Sequence, residues 1–320
     1  MNLHENPELF RELISVTANA FNIPEIYVEK DYWVTRVLLK LSQSEYRENF
    51  VFKGGTALSK AFRIIHRFSE DVDLAFHYDG SLSANQVRNR IRAAEKAITQ
   101  GLEKTNNPQS SAGSKFRKHY YQYPHELSGD FGHASAEILL EINSFTTPEP
   151  FTLMPVNTLI ADFILTTTRQ DLLMIYGLTT FNVNVLDIRR TIAEKILGLV
   201  RASHDEDIST LSAKIRHIYD LVMIRRQPEY HVFFTSDELH DLLNIVRASD
   251  RDLFQQAATW LDCPLANCRL FNAPEETWRR IEGTFRNGFA ELVYDKSLPD
   301  TAEVTGLLRD VHGVLLRLDS

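Results

Sequence analysis

Cysteine is nearly absent: Cys263 and Cys268 are the two in 320 residues, too few for a disulfide framework, and no four-ligand spacing exists for a structural zinc. That poverty points to a reducing compartment, and a cytoplasmic location is expected. Long apolar runs are lacking too. No stretch approaches the roughly 20 residues that span a bilayer, so no membrane association is expected. The start of the chain carries His4, Glu5, Glu8 and Glu12 where a secretory leader would need a basic end and an apolar run. Basic residues are in deficit, 35 Lys and Arg against 43 Asp and Glu for a net charge of −8, which excludes a non-specific cationic coat for nucleic acid. Internal repeats and low-complexity tracts are missing. What is present, 43% apolar and 24% charged residues, is the composition of a globular protein of one large or two ordinary domains.

The periodicity predicts a helix opening at Pro7 and a second from Pro24 through Leu41, with Tyr27, Trp33, Val34, Val37, Leu38 and Leu41 on one face. Phe50-Val51-Phe52 reads as a short strand broken by Gly54-Gly55, with Thr56 capping a helix from Ala57 to about Ile65. Asp71 to Phe76 reads as a strand in which Val72, Leu74 and Phe76 face one side, Asp71 and Asp73 the other. A helix over 84–102, a polar loop over 106–114 and strands over 116–123 and 136–145 are expected next. Pro148-Glu149-Pro150 suggests a domain boundary, giving an N-terminal core over 1–150 and a mainly helical part over 151–320. In the second part a strand is expected at 182–186, helices at 188–202 (capped by Asp187) and 212–225, and mostly helix thereafter.

Phe50 to Phe76 is the segment able to carry chemistry. Two carboxylates two residues apart on a strand project to one side and need something positive between them. Oxygen ligands in pairs suit Mg²⁺, which takes its remaining ligands from water and substrate phosphates. Lys53-Gly54-Gly55-Thr56 supplies the complement, because glycines let backbone amides approach a phosphate and the helix that follows adds a partial positive charge. Each half alone has an ordinary reading: Gly-Gly-Thr is a common tight turn, and Asp-x-Asp is a solvated strand end or a sugar-nucleotide metal motif. The turn does not match a Walker A loop.

The run Val51-Phe52-Lys53-Gly54-Gly55-Thr56-Ala57-Leu58-Ser59-Lys60 with Arg67-Phe68-Ser69-Glu70-Asp71-Val72-Asp73-Leu74 resembles the nucleotidyltransferase AbiEii/AbiGii toxin family. So do the blocks Val28 to Thr35, Ala193 to Leu199 and Arg216 to Leu221, so the resemblance covers about residues 25–225. It implies an α+β fold with a polymerase β-type nucleotidyltransferase core, a small mixed sheet with flanking helices, followed by a helical C-terminal part. It implies NTP as substrate, Mg²⁺ as cofactor in a two-metal site, and a toxin of a toxin–antitoxin or phage-resistance (abortive infection) module with a cognate antitoxin as partner. Carried onto this sequence, Gly54, Gly55 and Thr56 hold the triphosphate, Asp71 and Asp73 hold metal, Lys195 contacts phosphate, and Asp220 is needed for activity. His217 stands where the family's last motif has its first aspartate.

From the residues themselves, Lys195 lies on the apolar side of its helix, as a phosphate contact or as a side chain snorkelling to solvent. Asp220 can pair with Arg216 one turn earlier. Glu141 is the candidate third carboxylate and base, Lys53, Ser69 and Arg67 candidate helpers for the β- and γ-phosphates. Lys115 to Tyr121 is the basic stretch interleaved with aromatics and could meet an RNA backbone. The expected activity is NMP transfer to an acceptor hydroxyl, a tRNA 3′ end first and a protein hydroxyl second. The rival is a catalytically weakened module that binds nucleotide or antitoxin.

Overall fold

The computed structural model describes residues 1–113, 115–128, 135–144, 147–294 and 298–320. The chain forms two compact units, one of Met1–Phe62 and Phe68–Leu186, the other of Arg63–Arg67 and Asp187–Ser320.

The first unit opens with α1 (Pro7–Phe21) and α2 (Glu25–Gln43), then β1 (Phe50–Lys53), α3 (Gly54–Lys60), β2 (Val72–Phe76) and α4 (Ala84–Ile98). Strands β3 (Glu103–Lys104), β4 (Ser111–Ala112), β5 (Phe116–Gln122), β6 (Glu137–Asn143) and β7 (Phe151–Val156) follow, then α5 (Leu159–Leu165), α6 (Asp171–Ile175) and β8 (Phe181–Leu186). Together they build a mixed sheet in the order β3-β5-β6-β2-β1-β8-β7, with β4 beside β5. The apolar side of β2 fixes its register: Val72 and Leu74 are fully buried, and each such side chain stabilises the fold by about 1.5–3 kcal/mol. A one-residue slip would turn Asp71 and Asp73 into the core.

Four expectations change. The helix after the glycines begins at Gly54, so Thr56 sits inside α3 and is not its cap; Gly54 takes a φ of +78° directly from an extended Lys53. That helix ends at Lys60, ahead of Arg63, whose φ of +57° turns the chain into the other unit. The sheet continues past 150, the boundary expected from sequence, because β7 pairs antiparallel with β8 and β8 pairs parallel with β1. The β6 strand stops at Asn143; Phe145, expected at its end, and Ser114, at the end of the expected loop, lie outside the described residues.

The second unit is helical: α7 (Ile188–His204), α8 (Ile208–Ser212), α9 (Ile215–Arg225), α10 (Pro228–His231), α11 (Asp237–Phe254), α12 (Arg269–Asn272), α13 (Pro274–Arg286) and α14 (Thr301–Leu318). The Asp187 side chain accepts from the Arg189 N–H and starts α7, as its position predicts. The helix expected over 212–225 is α9, which begins at Ile215, with the short α8 ending at Ser212 ahead of it. No helix among the described residues is long and apolar enough to cross a membrane.

Candidate active site

The first unit gathers one group of candidate residues. Lys53 faces Asp73 across the antiparallel β1–β2 pair, Asp73 faces Glu141 across the parallel β2–β6 pair, and Glu141 faces Lys118 across β5–β6. Paired positions share a sheet face, so a lysine, two carboxylates and a second lysine stand in a row across four strands, and Asp71 immediately precedes β2. Lys118 Nζ lies 3.2 Å from Glu141 Oε1. Burial works to lower the Lys118 pKa, but the Glu141 carboxylate outweighs it and the net shift is upward.

Gly54 is indispensable twice over. Its φ of +78° is one that side-chain-bearing residues rarely adopt, and a Cβ built on it would lie 2.1 Å from Asp73 Oδ2. The glycine turn therefore runs directly against the aspartate. Thr56 is fully buried, and its Oγ1 meets Ser69 Oγ at 3.0 Å, tying α3 to the segment that leads into Asp71. The donor set here is all oxygen, which suits Mg²⁺ and not zinc. Among the described residues no three His, Cys, Asp or Glu side chains converge as a complete cage. Two neighbouring carboxylates with the other positions left to phosphate and water are what Mg²⁺ takes in phosphoryl-transfer sites, so the residues fit that ion.

Sequence reasoning missed what holds these two halves. Consecutive residues of α2 send side chains to each. Lys30, fully buried, donates to Glu70 Oε2 at 2.5 Å and to the Ser135 carbonyl at 2.6 Å, fixing the residue before Asp71. Asp31 accepts from Lys60 Nζ at 2.5 Å, at the C-terminal end of α3, and from the Leu159 N–H at 2.8 Å. Burial lowers the Lys30 pKa against the pull of Glu70, and raises that of Asp31 against the pull of Lys60. The available signal was a Lys-Asp pair inside a helix whose neighbours Val28, Tyr32 and Trp33 are apolar.

The second unit gathers another group. Asp220 on α9 is fully buried and accepts from Arg67 Nε at 2.7 Å, Arg67 Nη2 at 2.9 Å and Lys195 Nζ at 2.8 Å. Burial would raise its pKa, yet the two cations hold it well below the usual carboxylate range. The Asp220 partner is thus Arg67, 153 residues away in sequence, and Lys195, not the neighbouring Arg216. Lys195 does not snorkel. Arg67, expected beside the phosphates, gives a two-point hydrogen bond to Asp220, and its strand-like bridge to Val293 keeps it in this unit. His217 packs with its ring 3.4 Å from where a Cβ on Gly198 would lie; burial first, then Lys195 and Lys214, drive its pKa well below the ordinary histidine value. A neutral ring so placed adds no charge beside the triad.

The basic stretch expected to meet RNA is largely spent inside the fold. Arg117 and His119 are buried and both pair with Glu95 of α4, and Lys118 pairs with Glu141. Strand alternation sends its members to opposite faces, so it is not a contiguous patch. Cys268 is buried and Cys263 exposed, and neither joins a cluster of metal-binding side chains among the described residues.

The sequence pattern of the family described as "Nucleotidyl transferase AbiEii toxin, Type IV TA system" matches residues 36–303. The chain belongs to this family. Of solved structures, MenT4, a nucleotidyltransferase toxin from Mycobacterium tuberculosis H37Rv, is similar at 18% identity with a TM-score of 0.50, covering 96% of this chain and 99% of that one. JHP933 from Helicobacter pylori is similar at 14% identity with a TM-score of 0.45, covering 92% and 95%. At such identities MenT4 speaks for the fold alone, the mixed α+β fold of the nucleotidyltransferase toxins. No curated protein matches the chain.

Proposed function

We propose that this nucleotidyltransferase toxin moves an NMP from an NTP to an acceptor hydroxyl with Mg²⁺ bound at Asp71 and Asp73, the leading acceptor being a tRNA 3′ end. The observation that supports it most is the row Lys53, Asp73, Glu141, Lys118 on one sheet face, pressed against a glycine turn that admits no Cβ. Bound Mg²⁺ supplies charge neutralisation at the phosphates. The backbone of Gly54 and Gly55 receives the triphosphate, with the Thr56 and Ser69 hydroxyls and the Lys53 ammonium beside it. Glu141 accepts the proton of the attacking hydroxyl. The hydroxyl oxygen bonds to the α-phosphorus, the bond from that phosphorus to the α–β bridging oxygen breaks, and pyrophosphate leaves. Lys195 and Asp220 are activity residues of the second unit, Asp220 holding the lysine ammonium in place. A cognate antitoxin, a role in abortive infection and a cytoplasmic location belong to the same reading.

Pyrophosphate release from each NTP, with total RNA and Mg²⁺, tests it. Asp71→Ala/Asp73→Ala abolishes release, and Glu141→Gln lowers the rate by about 10²-fold or more, the usual contribution of a general base. Unchanged release in the double variant would overturn the role given to the two aspartates, and no release from the wild type would leave the competing reading, a binding module, in its place.

A further inference from the structure

The two faces of the sheet are differently equipped. Asp73, Glu141 and Lys118 share one face, so alternation along β5 puts Arg117, His119 and Tyr121 on the other. There all three converge on Glu95 of α4: Arg117 Nε donates at 2.7 Å, Tyr121 OH at 2.7 Å, and His119 Nδ1 is also bonded to it. Burial alone would raise the Glu95 pKa, yet these donors bring it below the ordinary value, so its charge is fully engaged. Arg117 is buried, and its Nη1, also out of solvent, has no hydrogen-bond partner among the described residues. That guanidinium lines an open groove of about 750 Å³ together with Arg92, Lys96 and Lys104.

The last three are exposed. Arg88 precedes Arg92 and Lys96 at the four-residue spacing that places side chains on one helix face, a row of about 12 Å at 1.5 Å per residue. On a chain of net charge −8 this is a concentrated cationic track, longer than one phosphate group needs. A row of exposed cations along a groove, with the positive charge of a buried guanidinium behind it, matches the successive charges of a phosphodiester backbone. We infer that the groove between α4 and β5 binds the backbone phosphates of the RNA acceptor, away from its reacting end. This rests on the reading of RNA as acceptor. Among the described residues the strands beyond β5 at that edge are the two-residue β3 and β4, so a folded RNA can pass around it from one sheet face to the other.

The test is equilibrium binding of fluorescein-labelled bulk tRNA and of a labelled tetranucleotide, over a series of salt concentrations, to the wild type and to Arg92→Ala/Lys96→Ala/Lys104→Ala. The substitutions are at exposed positions and leave NTP binding, measured in parallel, unchanged. The triple variant is expected to bind tRNA at least about tenfold more weakly, with a log–log salt slope shallower by about 2–3, as for three lost phosphate contacts. Tetranucleotide binding is unaffected. Equal affinity and equal slope for tRNA would overturn the inference. So would displacement of tRNA by polyglutamate as effective, charge for charge, as by unlabelled tRNA, since the groove would then suit an acidic protein. Groove-dependent tRNA binding together with label transferred only to protein would sink the acceptor reading and leave the groove as an RNA site.

Discussion

Gly54 is where backbone freedom and the Asp73 carboxylate meet. Gly54→Ala places a methyl group 2.1 Å from Asp73 Oδ2 on a backbone of φ +78°, so both the turn and the aspartate must shift. The expected outcome is a folded protein destabilised by about 1–3 kcal/mol that has lost nucleotide transfer, read by circular dichroism and pyrophosphate release. At Asp220 the expected loss is larger. Asp220→Asn leaves Arg67 and Lys195 buried beside a neutral amide and costs about 3–5 kcal/mol in urea unfolding near neutral pH. The folded pKa of Asp220 lies below the unfolded value of about 3.9, so its stabilisation is complete above that value and lost as pH falls through the folded one. The gap between wild type and variant is therefore constant above about pH 5 and narrows in acid. Motif spacing predicted that the glycine turn and the Asp71–Asp73 strand lie together, because they are local, and Gly54 does run against Asp73. It could not show that Asp220 takes Arg67, since that pairing is made by tertiary structure alone.

Helix α2 ties together the segments on either side of the glycine turn and the aspartate strand. Lys30 and Asp31 are adjacent, yet one holds Glu70 ahead of the aspartate strand and the other holds Lys60 at the end of α3. Lys30→Met alone should destabilise the protein by about 3 kcal/mol, because Glu70 loses its cation in a largely dry setting and keeps the Ser135 N–H. Adding Glu70→Leu should restore part of that stability, since removing both ions is cheaper than stranding one. Activity should stay low in the double variant, because the residue before Asp71 is still untethered; thermal unfolding and nucleotide transfer on the same samples check this. Helices with clean apolar faces, α1, α2 and α7, are legible from periodicity. β7 is not: it is an edge strand, mostly exposed, with Pro155 inside it, and so carries neither the alternation nor the composition of a strand.

For the molecule as a whole, the sheet joins segments as distant as β1 and β8, which is why the first unit runs to Leu186 when the proline punctuation at 148–150 suggests an earlier end. The two cysteines report on the intact fold. Cys263 is exposed, while burial pushes the Cys268 thiol up to about 11. One thiol should react with an aromatic disulfide reagent in native protein and the second only on unfolding, read by absorbance. The acidic balance of −8 is not uniform: two aspartates are proposed to hold Mg²⁺, and cations collect along α4. The most direct test of the central claim is incubation of the protein with α-phosphate-labelled NTPs, Mg²⁺ and cell extract, followed by separation of RNA from protein. Label in RNA, abolished by Asp73→Asn and by chelation, is the predicted result. Label that never leaves the nucleotide pool, or whose transfer is indifferent to Asp73, would contradict it.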